Sequence, residues 1–338
     1  MIERMRAYGA NISKDEQMTL ASHLVRLYGP RQVKVPSRVY VTTEDSNEVW
    51  VIDPNERQVS GKIGVGRNPH GIASGPLGRY IYVSNMVSDT VSIIDTTRNS
   101  LVGSFPSGEN PHELAVSPQG DHLYVTIPSS NSVAVFALSP PGGAGVRSPR
   151  LVDSIPAGKA PHGLALTPDG RRLYVANMDS GNLTVLDMET RKELDRIPVG
   201  RGAHGVTVSP DGAYAWVTVF DEDKVAVIDT RKNVLVDRVA VGDNPYAVVA
   251  SQNGSYIWVT NEGSHTVSVI NAKTRKVERT IPVPNEPHGL AISPDGSSVW
   301  VVHKAGNFVS VIDTKSQSIT NLLGVGKRPH GVVFNTPP

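Results

Sequence analysis

Seven times along this chain the same segment returns at an interval close to 42 residues, and that return is the strongest constraint on its fold. Its clearest mark is a histidine at His70, His112, His162, His204, His288 and His330, with spacings of 42, 50, 42, 84 and 42 residues. Tyr246 stands at the midpoint of the gap of 84, so seven equivalent positions carry six His and one Tyr. A period of roughly 20–50 residues marks a repeat architecture whose units bury their apolar faces only against one another. If the array closes on itself, equivalent positions form a ring, and the imidazoles gather around one axis.

The unit is plainest in the sixth copy: Tyr256-Ile-Trp-Val-Thr-Asn, Thr266-Val-Ser-Val-Ile-Asn, Lys276-Val-Glu-Arg-Thr-Ile-Pro-Val and Pro287-His-Gly-Leu-Ala-Ile-Ser-Pro-Asp-Gly. Each piece is short, alternating and rich in β-branched and aromatic residues, which is the pattern of a strand. The tetrads beginning at Thr167, Ser209 and Ser293 read Ser/Thr-Pro-Asp-Gly, where proline presets one turn dihedral and glycine accepts the positive φ that follows. Four antiparallel strands repeated seven times predict an all-β, seven-bladed β-propeller.

An aromatic-Val pair in the second strand gives the same count, at Tyr40, Tyr82, Tyr124, Tyr174, Trp216, Trp258 and Trp300. The one long interval comes from a Gly/Pro-rich insertion running from Ser139 to Pro149. The first unit lacks an inner strand before Arg38, while the chain ends with an extra one, His330-Gly-Val-Val-Phe334. The C-terminal strand is therefore expected to complete the first blade, leaving no open sheet edge. Residues 36–338 are assigned to the propeller and residues 1–35 to a helical N-terminal extension.

Composition narrows the chemistry. With 33 basic and 32 acidic residues scattered along the chain, there is no electrostatic footprint for nucleic acid. No apolar stretch approaches the roughly 18 residues of a membrane span. Cysteine is absent, which excludes disulfides, thiolate metal sites and covalent haem attachment within this chain. The sequence as written opens on no signal peptide. It contains no nucleophile elbow, P-loop, dinucleotide fingerprint or His-Glu-x-x-His. Asp53, Asp95, Asp187, Asp229 and Asp313 follow the third strands, where Asx-type turns account for them.

Tyr82-Val-Ser-Asn, Tyr174-Val-Ala-Asn and Trp258-Val-Thr-Asn, with the Pro-His-Gly and Ser-Pro-Asp-Gly segments, resemble the YVTN β-propeller repeat family over roughly residues 36–336. The resemblance implies the propeller fold and little about activity, since that fold hosts lactonases, lyases, copper enzymes, haem-handling proteins and binding modules. A seven-bladed propeller with inward histidines is similar in plan to the copper-cluster domain of nitrous oxide reductase and to thiocyanate dehydrogenase. No ligand motif of those enzymes aligns residue by residue.

In such a propeller the strand beginning at His-Gly is innermost, so His70, His112, His162, His204, His288 and His330 would line one channel mouth. Imidazole suits copper, zinc, nickel and iron, and copper or another transition metal is the expected cofactor. The alternative is a repeat-locked histidine that hydrogen-bonds the next blade's backbone. Three departures from the repeat share that face. Tyr246 replaces a His, Glu113 replaces the following Gly, and His303 stands where other blades carry Asn85, Asn177 or Asn261. Glu113 and His303 are the catalytic candidates, as carboxylate ligand or base and as acid–base group. Tyr246, Arg67, Lys159, Arg201 and Lys327 are the candidate substrate contacts, the cations forming an inner rim that would attract a small anion. Arg328, Glu109, Asp243 and Glu286 share those loops, and Glu44 and Glu262 follow second strands.

Ser13-Lys-Asp-Glu16 can cap a helix through Tyr28, with Leu20, Leu24 and Leu27 at helical spacing. Met5, Gly9 and this helix resemble the C-terminal end of a c-type cytochrome domain, although its Cys-x-x-Cys-His segment is missing. That likeness implies redox chemistry in the periplasm, with a cytochrome as partner. Three functions follow: a metal-dependent, oxidoreductase-like propeller; a non-enzymatic module binding a protein or small anion; and a lactonase or lyase.

Overall fold

The two central strands of each repeat are apolar on both faces, whereas the fourth is apolar only at alternate positions. Tyr80–Asn85 and Thr90–Asp95 are buried almost throughout, while the outer strand Ser100–Pro106 is largely exposed. Sheets of this kind must stack face to face and turn their outer edge to water. A computed structural model, which describes residues 36–138 and 148–335, shows that arrangement. Its twenty-eight strands form seven four-stranded antiparallel sheets, the blades of a propeller. The proposed N-terminal extension (residues 1–35), including Met5, and residues 139–147 of the insertion lie outside the described residues.

Blade 1 is built from both ends of the chain. Its order is β28 (Pro329–Phe334), β1 (Val39–Thr43), β2 (Glu48–Asp53) and β3 (Gln58–Gly64), with Val39 opposite Phe334 and Tyr40 opposite Val333. Asn335 seals the junction, accepting the Arg38 N–H on its side chain at 2.6 Å and donating its own backbone N–H to the Arg38 carbonyl at 3.1 Å.

The core is seven separate clusters, each lying between successive blades. Trp216 packs with Ile257 and Val259 of the next blade. Trp258 meets Val299 and Val301, Trp300 meets Val39 and Val41, and Tyr40 meets Ile81 and Val83. The aromatic of each second strand therefore serves as the wedge between blades, burying the largest apolar area the repeat offers. Turns behave as their residues dictate. Thr167 donates to Asp169 Oδ1 at 2.6 Å, Gly170 takes φ +71°, and the Asp187 and Asp313 carboxylates accept the N–H groups of Thr190 and Ser316 at 2.7 Å. No helix among the described residues is long and apolar enough to cross a membrane.

Toward the axis the inner strands approach so closely that the residue after the ring position must be small. A Cβ on Gly163 would stand 2.3 Å from the His204 carbonyl oxygen, and one on Gly289 the same distance from that of His330. On the outer strand, a Cβ on Gly64 would meet nothing within 4 Å. Gly163→Ala should therefore lower stability by about 1–3 kcal/mol in a urea titration, as overpacking does. Gly64→Ala should stay within about 0.5 kcal/mol of the parent protein. Equal effects at the two sites would mean that the inner strands are not packed this tightly.

Candidate functional site

Each ring residue is reached through a loop that ends in a left-handed residue followed, in six of the seven blades, by proline. Asn68, Ala160, Asn244, Glu286 and Arg328 hold φ between 52° and 55°, and the next residue turns the chain into the inner strand. The carbonyl of that left-handed residue accepts an N–H from the residue just after the second strand. Examples are Glu44 to Arg328, Met86 to Asn68, Met178 to Ala160, Glu262 to Asn244 and Lys304 to Glu286. This ties the two loops of each blade together on one face. In blade 3 the tie is impossible because Pro128 has no N–H. There the inner strand is only Leu114–Val116, three residues against six elsewhere, and Glu113 stands where five other blades have glycine.

A hydroxyl in the second strand completes the positioning. Thr42, Thr126, Thr218 and Thr260 donate to the carbonyls of His70, His162, Tyr246 and His288 in the next blade at 2.6–2.9 Å, and Ser84 does the same for His112. The same oxygens accept the N–H that follows their own blade's ring residue, as Thr218 does from Gly205 at 2.7 Å. Sequence reasoning passed over these residues, although they sit two places after every marked aromatic except Tyr174 and Trp300, which are followed there by Ala176 and Val302.

The seven side chains converge into a closed ring on the axis. Centroids of adjacent rings are 3.5–4.9 Å apart all the way round, from His70 through His112, His162, His204, Tyr246, His288 and His330 back to His70. Across the ring, His70 and His162 are 5.6 Å apart. His204 bonds the next blade's backbone, with Nδ1 3.2 Å from the Tyr246 carbonyl oxygen. The other five do not. The Nδ1 atoms of His70, His112, His162, His288 and His330 are buried without a hydrogen-bond partner among the described residues. The Tyr246 hydroxyl reaches across the ring to His330 Nε2 at 3.0 Å.

Burial keeps these imidazoles neutral. It pushes the pKa of His112 down to about 4 and that of His204 down to about 3, and holds the other four well below the ordinary value. Neutral imidazoles offer lone pairs. Donor atoms of His70, His112 and His162 lie within 4.8 Å of one another, as do those of Glu44, His70 and His330. The three-histidine group must draw in to hold one ion, since ligands ~2.0–2.1 Å from a tetrahedral metal stand about 3.4 Å apart.

Glu113 lies behind the ring, facing an axial chamber of about 200 Å³ whose walls are Ile72, Leu164, Val206, Val248, Leu290 and Val332. Its carboxylate makes no hydrogen bond among the described residues; Oε1 is 3.6 Å from His70 Nδ1, beyond bonding range. The side chain is half-buried and lines the chamber. Desolvation accordingly raises its pKa to about 7.

The remaining candidates stand apart from the ring. His303 is wholly buried, with Nδ1 2.9 Å from the Pro284 carbonyl and Nε2 2.8 Å from Ser310 Oγ. It fills the role that Asn85 and Asn177 play toward Ser92 and Thr184 in their blades, and neither nitrogen is left for acid–base work. Arg67, Lys159, Arg201 and Lys327 are exposed on the rim, their backbone N–H groups held by Ser88, Ser180, Glu222 and Ser46. None reaches the ring with its side chain in a hydrogen bond or ion pair. Two residues nearer the axis carry more weight than the sequence indicated. Glu44 is 5% exposed and pairs with Arg328 at 3.2 Å. Lys304, at the equivalent place in blade 7, lowers the carboxyl pKa values of Glu44 and Glu262 against the raising effect of their burial.

Comparison with known proteins places this geometry. No curated protein matches the chain in sequence. The fold is similar to that of hydrazine synthase from Kuenenia stuttgartiensis, at 21% identity and a TM-score of 0.72, covering 81% of this chain and 92% of that one. It is also similar to the dihydro-heme d1 dehydrogenase NirN in complex with DHE, at 14% identity and a TM-score of 0.65, covering 96% and 87%. A putative 6-phosphogluconolactonase from Bacteroides uniformis matches at 15% identity and a TM-score of 0.73, covering 88% and 99%. These likenesses show the fold. The model of the cytochrome D1 heme domain matches residues 171–330. The model described as lactonase, 7-bladed beta-propeller, matches residues 4–144 and 104–198. That is more than half of the 338 residues, and the chain belongs to this seven-bladed propeller family.

Proposed function

We propose that this protein binds a transition metal ion on the propeller axis, copper by preference, through His70, His112 and His162, and that the metal serves redox chemistry outside the cytoplasm with a cytochrome as electron partner. The observation that carries the reading is the set of five buried imidazole nitrogens without a partner among the described residues. Each such atom costs about 1–3 kcal/mol in a finished fold. A purely structural repeat histidine would bond the neighbouring backbone in every blade, as His204 alone does. An all-imidazole set without thiolates suits copper, which also heads the affinity order of the divalent ions. The extracytoplasmic placement and the cytochrome partner rest on the cytochrome-like residues 1–30.

A second reading has its own support. The match to a cytochrome D1 heme domain and the likeness to a protein complexed with DHE favour a tetrapyrrole at the mouth. Met86, Pro128, Met178 and Phe220 follow the second strands of four successive blades and offer one apolar side to such a ring. The lactonase reading draws on the family itself, but the donor groups among the described residues hold mainly imidazole, whereas calcium prefers oxygen ligands. As a small-anion module, the protein would rely on rim cations interleaved with Glu109, Asp243 and Glu286.

Untagged protein loaded with copper(II) and dialysed should retain at least one copper per chain by elemental analysis. His112→Ala and His162→Ala should each retain one copper per chain fewer than the parent protein. No stoichiometric metal would sink the reading, and a new visible absorption on adding haemin instead would establish the second one.

The neutral ring also predicts acid sensitivity of the metal-free protein. Because the folded pKa values lie below the ordinary 6.5, the unfolded chain takes up protons first as pH falls. Stability should therefore decline from about pH 6.5 downward until the folded values near 4 and 3 are reached, by about 1.4 kcal/mol per pH unit for each imidazole kept neutral. Urea midpoints at pH 7 and pH 5 measure this, and identical midpoints would show a solvated ring.

A further inference from the structure

The ring is chemically lopsided. Blades 2 to 4 contribute His70, His112 and His162, all neutral nitrogen donors. On the opposite side stand oxygen donors. Glu44, from the mouth end of blade 1, is the one carboxylate there that is almost fully buried. Arg328 holds its Oε2 at 3.2 Å, which leaves Oε1 directed toward the ring, 3.9 Å from His330 Nε2. From blade 6, Tyr246 brings its hydroxyl across the axis to the same nitrogen at 3.0 Å. A phenylalanine would pack the ring as well; what the tyrosine adds is an oxygen against His330.

We propose that Glu44, His330 and Tyr246, with His70 at the boundary, form a second metal locus, so that the ring holds two ions of different ligand character. This rests on the reading that the ring binds metal. Two ligands ~2.1 Å from one ion stand about 3.0–4.1 Å apart for angles between 90° and 160°. The observed separations of 3.0 and 3.9 Å fall inside that span without movement. Charge points the same way. Three neutral imidazoles bring no negative charge to a divalent ion, whereas a carboxylate and a phenolate together bring two. On binding, the Tyr246 O–H bond breaks, an oxygen–metal bond forms, and the proton leaves to solvent through the mouth. The locus is the harder of the two and suits copper(II) or iron(III), while the three-histidine locus also accepts a softer ion.

Copper(II) chloride is the probe, added to the full-length protein before dialysis, with copper per chain and the visible spectrum as readouts. The parent protein should hold two coppers per chain and show a phenolate-to-copper charge-transfer band. Glu44→Gln and Tyr246→Phe should each hold one, the band disappearing in Tyr246→Phe, while His162→Ala should also hold one and keep the band. Gln and Phe preserve the shape of the parent side chains, and melting of the metal-free variants checks that the ring still packs. One copper in the parent protein, unchanged in Glu44→Gln and Tyr246→Phe, overturns the second locus and leaves the first. One copper lost in Tyr246→Phe but kept in His162→Ala supports the second locus and overturns the first. No copper in any form overturns both.

Discussion

The close approach of neighbouring inner strands governs everything at the axis. Glycine follows the ring residue in five blades because a side chain there would strike the next blade's carbonyl, as at Gly163 against His204 and Gly71 against His112. The hydroxyls of Thr42, Thr126, Thr218 and Thr260 then clamp those carbonyls at 2.6–2.9 Å. Backbone spacing, not side-chain preference, therefore sets the diameter of the ring. The side chains gathered there bury one another's ring nitrogens, and that burial holds the histidines neutral.

Departures from the repeat each have a mechanical partner. Glu113 occurs in the one blade where Pro128 cannot make the loop tie and where the inner strand is shortened to Leu114–Val116. His303 answers Pro284. Where blade 4 has Gly158, its N–H donates to Asn177 Oδ1 at 3.0 Å; proline has no N–H, and blade 7 instead needs a donor to the Pro284 carbonyl, which His303 Nδ1–H supplies. The Ser310 contact on Nε2 then assigns the tautomer from the hydrogen-bond network. Two substitutions that look alike in the sequence thus separate: one closes a structural bond, the other leaves an unbonded carboxylate facing a chamber.

Blade number, strand order and closure were legible because they depend on period, turn residues and alternation, all local properties of the chain. The ring was legible too, since closure turns equal spacing into convergence. Whether His70 or His303 keeps a free nitrogen was not, because that depends on where Pro284 and Ser310 stand against His303 and Glu113 against His70, which the repeat does not encode. Glu44 was equally hidden. Nothing in Thr42-Thr-Glu44-Asp45 distinguishes the carboxylate that turns inward from the one left outside, and the structure separates them through Arg328 and the blade 1 closure. The Thr and Ser staples were present in the pattern and were overlooked because the adjacent aromatics explained the strand on their own.

A symmetric scaffold yields an asymmetric site only where it breaks, and the breaks follow charge. Six repeats of the same neutral imidazole bring lone pairs to the axis but no negative charge. The ionisable oxygens nearest the ring lie on single blades: Glu113 in blade 3, Tyr246 in blade 6, and Glu44 in the blade that joins the two ends of the chain. Lys304 in blade 7 sits between Glu262 and Glu44 in the order of blades and offsets part of their charge. The repeat therefore supplies the geometry of the ring, and the exceptions supply its charged and ionisable oxygens.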